Sequence, residues 1–279
     1  MNKVRLNIMG VGINMFDHFI LYACIAAVCL SFSLAPIGCF LLWRRQAFFG
    51  DVMAHSAMLG VAISLIFGAS SPLWGIILVC FMLSGLLAYG PQFFNLPSDT
   101  WLGLLSYTLM AIAFIVIRTL PRSQQNVEHF LFGDLLLLDK TDIVTLIVMV
   151  LIVALFFFFC WRKLILITLD PDWAHVEGIS PSHMTFLFLV VLSCIVATTL
   201  PIVGALLVPG LLLLPGACAA QYAKSPEGMI KRAIFMALLM LFGGIGCGFL
   251  MDWPIGPASI MTGFLLFIAT RLAIYTYYK

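Results

Sequence analysis

The sequence predicts an all-α polytopic membrane protein, with about nine (eight to nine) transmembrane helices in one bundle. Three observations carry that expectation. Of 279 residues, 63% are hydrophobic and only 9% are charged. Mean hydropathy is +1.14. The apolar residues also fall into runs long enough to cross a bilayer, which takes about 20 residues. A soluble domain carries roughly 25% charged residues, and no soluble fold of this length could hide so much apolar surface. The formal net charge of +2 argues against a nucleic-acid partner.

In chain order, the apolar runs predict helices near 17–42, 51–68, 72–90, 101–118, 142–161, 184–201, 203–219, 231–250 and 255–275. The first run is followed by Arg44-Arg45 and not by a small-residue cleavage site, so it reads as a retained helix. The seventh run is the shortest and most interrupted. No linker or composition shift divides the chain, so residues 1–279 read as a single membrane domain. All eight cysteines lie inside apolar runs and none forms a C-x-x-C pair, which suits buried free thiols.

With the amino terminus outside, nine Lys/Arg fall inside: Arg44, Arg45, Arg162, Lys163, Lys224, Lys231, Arg232, Arg271 and Lys279. Five fall outside: Lys3, Arg5, Arg118, Arg122 and Lys140. The positive-inside rule favours this orientation.

Three segments depart from plain apolar helix. The first, "RRQAFFGDVMAHSAMLGVAISLIFG", places Asp51 and His55 four residues apart, hence on one helix face. A carboxylate at the bilayer centre costs about 2.5–3.5 kcal/mol on insertion scales. The pair should therefore face the bundle interior or a wet cavity. Carboxylate plus imidazole suits zinc, manganese or iron; an interhelical Asp–His hydrogen bond is the structural alternative. Two ligands are fewer than a resident zinc site uses, and a two-fold dimer would double them. On the same helix, Ser56, Gly60, Ser64 and Gly68 form a small-residue stripe about 100° from His55, suited to close helix approach.

The second segment, "LITLDPDWAHVEGISPSH" from Leu166 to His183, is a polar stretch between two spans on the inner side. The third, "PIVGALLVPGLLLLPG" from Pro201 to Gly216, interrupts an apolar run with three prolines and three glycines. Broken backbone at membrane depth lines cavities or is buried in protein; a kinked packing helix is the other reading. His129, in the outer loop, reads as a solvated residue. No phosphate-binding loop occurs, and the sequence has no Gly-Lys pair, so ATP cannot be held by that device. No H-E-x-x-H is present either. The remaining function classes are a cation permease, a permease for a metal chelate or vitamin, and an intramembrane metalloenzyme, which needs more ligands than these spans offer.

"APIGCFLLWRRQAFFGDVMAHSAMLGVA", the outer-loop "LFGD", "DPDWAHVEGI", "VGALLVPGLLLLPGACAAQYAKSPEGM" and "GPASIMTGFLLFIATRL" together resemble the permease subunits of zinc and manganese uptake ABC transporters (ZnuB-type, ABC-3 family). The resemblance runs from about Ala35 to Leu272. It implies a non-enzymatic transport subunit in a bacterial inner membrane, with zinc as the first expectation and manganese or iron as alternatives. It also implies a permease homodimer, a separate ATP-binding subunit and an extracytoplasmic metal-binding protein. No cofactor is implied, only a transported cation. Carried over, Asp51 and His55 would be transient metal ligands. The stretch Asp170, Pro171, Asp172, Ala174, Glu177 and Gly178 would dock on the ATPase. One departure stands out: "GLLSYTL" puts Tyr107 where zinc-type members are expected to carry a histidine.

Overall fold

A computed structural model describes residues 2–67, 73–90, 98–119, 133, 138–205 and 207–277, with side chains from Ile20 onward except at 98, 99 and 277. Among them there is no strand. Ten helices follow in order: α1 (Asn2–Trp43), α2 (Phe49–Ile66), α3 (Leu73–Tyr89), α4 (Ser98–Thr119) and α5 (Lys140–Leu169). After these come α6 (Pro171–Val176), α7 (Pro181–Val203), α8 (Leu207–Ala220), α9 (Pro226–Met251) and α10 (Ile255–Tyr277).

Seven of these are long and apolar enough to cross a membrane, and α3 and α8 are shorter apolar helices of 17 and 14 residues. Nine apolar helices thus occur where the hydropathy runs predict them, but only seven meet the length of a full span. At 1.5 Å per residue α8 is about 21 Å long, against roughly 30 Å of hydrocarbon. The expected boundaries also shift. The helix expected at 142–161 extends to Leu169, past Arg162 and Lys163, because nothing breaks it before Asp170-Pro171.

α1 is the central column. Ala23, Ala26, Ala27, Leu30, Leu34, Ile37 and Leu41 are fully buried along it, and α5, α8 and α9 pack around it. Its small residues admit neighbours closely: a methyl on Gly38 would collide with the Leu212 carbonyl of α8. The chain then reverses through Arg45, whose φ is +54°, and Gln46 N–H donates to the Leu41 carbonyl at 2.9 Å. Arg44 turns inward and donates through Nη2 to Thr185 Oγ1 at 2.9 Å. Burial lowers its pKa.

α2 crosses α3 on the small-residue stripe. A Cβ on Gly60 would stand 2.5 Å from Ile76 Cα and 2.6 Å from the Gly75 carbonyl oxygen. Gly75 N–H donates to Ser64 Oγ at 3.1 Å, and Ser64 donates to the Gly60 carbonyl at 3.1 Å. Lower down, Ser56 Oγ meets Cys80 Sγ at 3.3 Å. Ser84 and Ser193 hydroxyls lie 2.7 Å apart, which ties α3 to α7. Ser56, Gly60 and Ser64 therefore work as close-packing positions; Gly68 lies outside the described residues. The eight cysteines are free.

The contacts also set levels across the bundle. Tyr89, at the end of α3, meets His183 near the start of α7 with ring centroids 6.1 Å apart. α3 therefore returns to the level where α1 ends and α7 begins.

Candidate metal-translocation site

Asp51 and His55 sit on the first two turns of α2, and what distinguishes them is where their face points. From residue 51 to 63, every α2 side chain is buried except Asp51, His55, Leu59 and Ile63. These four are spaced by four, so they form one stripe on one face. Everything else on the helix packs against α3, α4, α7 and α8. The two ligand-type groups thus occupy the face of α2 that the chain leaves partly open.

Depth follows from the α7 ruler. Ser193 Oγ–H lies 3.6 Å from Met53 Sδ, and Ser193 is ten residues beyond His183 on α7. At 1.5 Å per residue, that is about 15 Å, half the hydrocarbon thickness. Met53, between Asp51 and His55, thus lies about 15 Å along the bundle from the level where α7 begins.

The broken segment lies alongside. α7 runs through Pro201 to Val203, the chain breaks at Gly204 (φ +85°), and α8 begins at Leu207. A Cβ on Gly50, next to Asp51, would lie 3.2 Å from Pro209 Cα and 3.2 Å from Leu212 Cδ1. The interrupted helix pair and the Asp51 turn are thus neighbours. Gly133 of the outer-loop "LFGD", at φ +63°, packs against the Val203–Gly204 backbone so closely that a Cβ would overlap it. A glycine is required there both by its φ and by the approach.

His55 has a partner that sequence reading missed. Its Nδ1 lies 2.7 Å from Ser106 Oγ of α4, and Ser106 is 3% exposed. Tyr107, singled out from the sequence, is 72% exposed, on another face of α4. Helix geometry turns adjacent residues about 100° apart, so a one-residue difference decides which side chain reaches His55. Two apolar-run helices give no sequence signal for that register.

Among the described residues, no group of three or more His, Cys, Asp or Glu side chains is arranged to hold a metal. Asp51 and His55 from one chain are two donors of types that suit a borderline divalent cation. His129 and Asp134 lie outside the described residues, as do 120–132 and 134–137 of the outer loop.

The inner segment is ordered by its own side chains. Asp170 caps α6: its Oδ1 accepts from Asp172 N–H at 3.0 Å and Trp173 N–H at 3.1 Å, with Pro171 at the first helical position. Ala174 is fully buried, while Leu169, Trp173 and Val176 are 78%, 58% and 81% exposed. Glu177 faces Arg162 at 3.7 Å. Gly178 closes the turn at φ +76°. His175 and His183 are exposed here, away from the α2 pair.

A multi-span helical bundle with a broken helix beside an intramembrane Asp–His pair is the build of a membrane permease. The profile of the ABC 3 transport family matches residues 16–273, and the chain belongs to that family. It is 31% identical over 246 residues to the high-affinity zinc uptake system membrane protein ZnuB of Haemophilus influenzae. That match covers 88% of this chain and 94% of that protein. It is 27% identical to the manganese import system permease protein ScaB of Streptococcus gordonii, covering 91% and 90%. Among solved structures, PsaBC from Streptococcus pneumoniae in complex with Fab superposes with a TM-score of 0.80 at 24% identity, covering 92% of this chain and 94% of that chain. The fold is therefore that of an ABC permease, and the chain is a multi-pass membrane protein.

Proposed function

We propose that this chain is the permease subunit of a high-affinity zinc ABC importer in a bacterial inner membrane, and that Asp51 and His55 are the ligands zinc meets at mid-membrane. One observation carries the reading: the only ionisable groups on α2 occupy the one stripe of residues 51–63 that the described part of the chain leaves half-open. A structural Asp–His pair would be sealed between helices. A cargo station has to stay open on one side. Zinc over manganese rests on the similarity to the ZnuB relative at 31% identity against 27% for ScaB. An imidazole donor also suits zinc better than manganese, which favours oxygen ligands.

Two ligands hold a cation weakly, which suits transit. Two chains meeting across a two-fold axis, with their open stripes facing, would offer two Asp and two His. In this reading α3 and α8 complete nine crossings. Ser106 accepts a hydrogen bond from His55 Nδ1–H, which leaves the Nε2 lone pair for zinc. An oxygen acceptor on one ring nitrogen is the usual way a metal-binding histidine is oriented. On the inner side, the exposed Leu169, Trp173 and Val176 form an apolar docking surface for a separate ATP-binding subunit. Asp170, Pro171, Asp172, Ala174, Glu177 and Gly178 hold that surface in shape. An extracytoplasmic binding protein delivers the ion outside, and ATP hydrolysis belongs to the other subunit.

The test is uptake of radiolabelled zinc into vesicles carrying the chain with its ATPase and binding protein, with manganese, iron and a zinc chelate as competitors. ATP-dependent uptake that excess manganese leaves intact supports the proposal. Uptake of the chelate but not of free zinc would replace it with a chelate permease.

A further inference from the structure

Against α1, between α5 and α9, lies a cavity of about 360 Å³ that shares no lining residue with the Asp51–His55 site. α1 forms its floor with Phe32 and Pro36, and α5 and α9 form its walls. Both walls pack on α1 but make no extensive contact with each other, so the space between them is a cleft open to the side. Its lining is apolar from Val150 to Trp161 on α5, and it ends at Glu227 and Lys231 on the first turns of α9.

Dimensions and charge together name the occupant. From Val150 to Trp161 is eleven residues of helix, about 16 Å at 1.5 Å per residue, which is the depth of one leaflet's hydrocarbon. Trp161 stands beside Arg162 and Lys163, at the level expected of an interfacial anchor. Glu227 and Lys231 are both exposed and are spaced to pair with each other. Yet neither makes an ion pair with any described residue. An unpaired anion and cation at the mouth of an acyl-chain-length cleft complement a headgroup bearing both charges.

We propose that this cleft binds one phosphatidylethanolamine molecule of the cytoplasmic leaflet: an acyl chain between α5 and α9, the phosphate at Lys231 and the ammonium at Glu227. The site is independent of the cargo and of the identity of the metal. It rests only on the inner side of the bundle being cytoplasmic. Its role is to close the gap between α5 and α9 that the protein's own side chains leave open.

Native mass spectrometry of the assembled, detergent-purified complex offered equimolar phosphatidylethanolamine and phosphatidylglycerol reads this directly. One retained phosphatidylethanolamine per permease chain is expected, favoured over phosphatidylglycerol by about tenfold, as charge-assisted contacts allow. Lys231→Ala should weaken retention of either lipid, and Glu227→Gln should abolish the preference between them. Ala154→Phe fills the cleft wall and should expel the lipid; Ala154→Leu is the milder variant if the larger ring impairs assembly. Wild-type complex that retains no phospholipid would overturn the proposal. So would equal retention of the two lipids, or retention unchanged in both Lys231→Ala and the cleft-filling variant.

Discussion

Ser106→Ala isolates the hydrogen bond that orients His55. The wild-type contact is short, 2.7 Å from Nδ1 to Oγ, and Ser106 is 3% exposed, so water does not readily replace it. In the proposed tautomer, removing the hydroxyl leaves a half-buried ring N–H without its side-chain acceptor, which costs about 1–3 kcal/mol. At 1.4 kcal/mol per factor of ten, the orientation that presents Nε2 becomes rarer by roughly 5- to 150-fold. Loss of a partner that orients a metal-binding histidine typically costs about 10- to 100-fold in affinity or activity, which falls in the same range. Zinc uptake by reconstituted complex should therefore lose about tenfold or more in kcat/KM, by the same reasoning. Protein yield and basal ATP hydrolysis should stay near wild type. Ser106→Thr keeps the hydroxyl and should restore most of the loss. Nitrogen NMR of the His55 ring should report Nδ1–H in the wild type and a mixture of tautomers in Ser106→Ala. Wild-type uptake in Ser106→Ala, or equal loss in Ser106→Thr, would refute the reasoning.

Gly60→Ala should lower the thermal stability of the purified chain by about 1–3 kcal/mol, the usual cost of overpacking, because its new methyl meets the α3 backbone at Ile76 and Gly75. Ser64→Ala removes the interhelical bond from Gly75 N–H and should cost about 0.6 kcal/mol, the membrane average; the two variants compared by thermal denaturation test whether backbone approach dominates that crossing. Asp170→Ala should destabilise α6 by about 1 kcal/mol through the lost cap and reduce cargo-stimulated ATP hydrolysis. Trp173→Ala should uncouple hydrolysis from uptake while leaving α6 intact, as read by ATPase rate per zinc transported.

Much of this architecture is legible in the sequence because membranes impose simple rules. The apolar runs mark nine helices, and spacing by four puts Asp51 with His55 and Gly60 with Ser64. The runs do not say that α8 is shorter than the hydrocarbon is thick. Pro201, Pro209 and Pro215 all lie within helices, and the break itself is made by Gly204 with its positive φ. Nor do they give register between helices. α4 is apolar over most of its circumference, so periodicity does not distinguish Ser106, which meets His55, from the exposed Tyr107. Gly133 was visible as part of a motif, but its reason, the close approach to Val203–Gly204, appears only in three dimensions. The unpaired state of Glu227 and Lys231 is likewise invisible in a sequence where their spacing suggests a pair.

The most direct test of Asp51 and His55 as the cargo's ligands is ATP-dependent uptake of radiolabelled zinc by complexes carrying wild-type permease, Asp51→Ala or His55→Ala, each with assembly confirmed. Near-complete loss of uptake in both variants, with intact assembly and ATP hydrolysis, is the predicted result. Uptake preserved in both would contradict the assignment, and failure of both to assemble would show that the pair holds the bundle together instead.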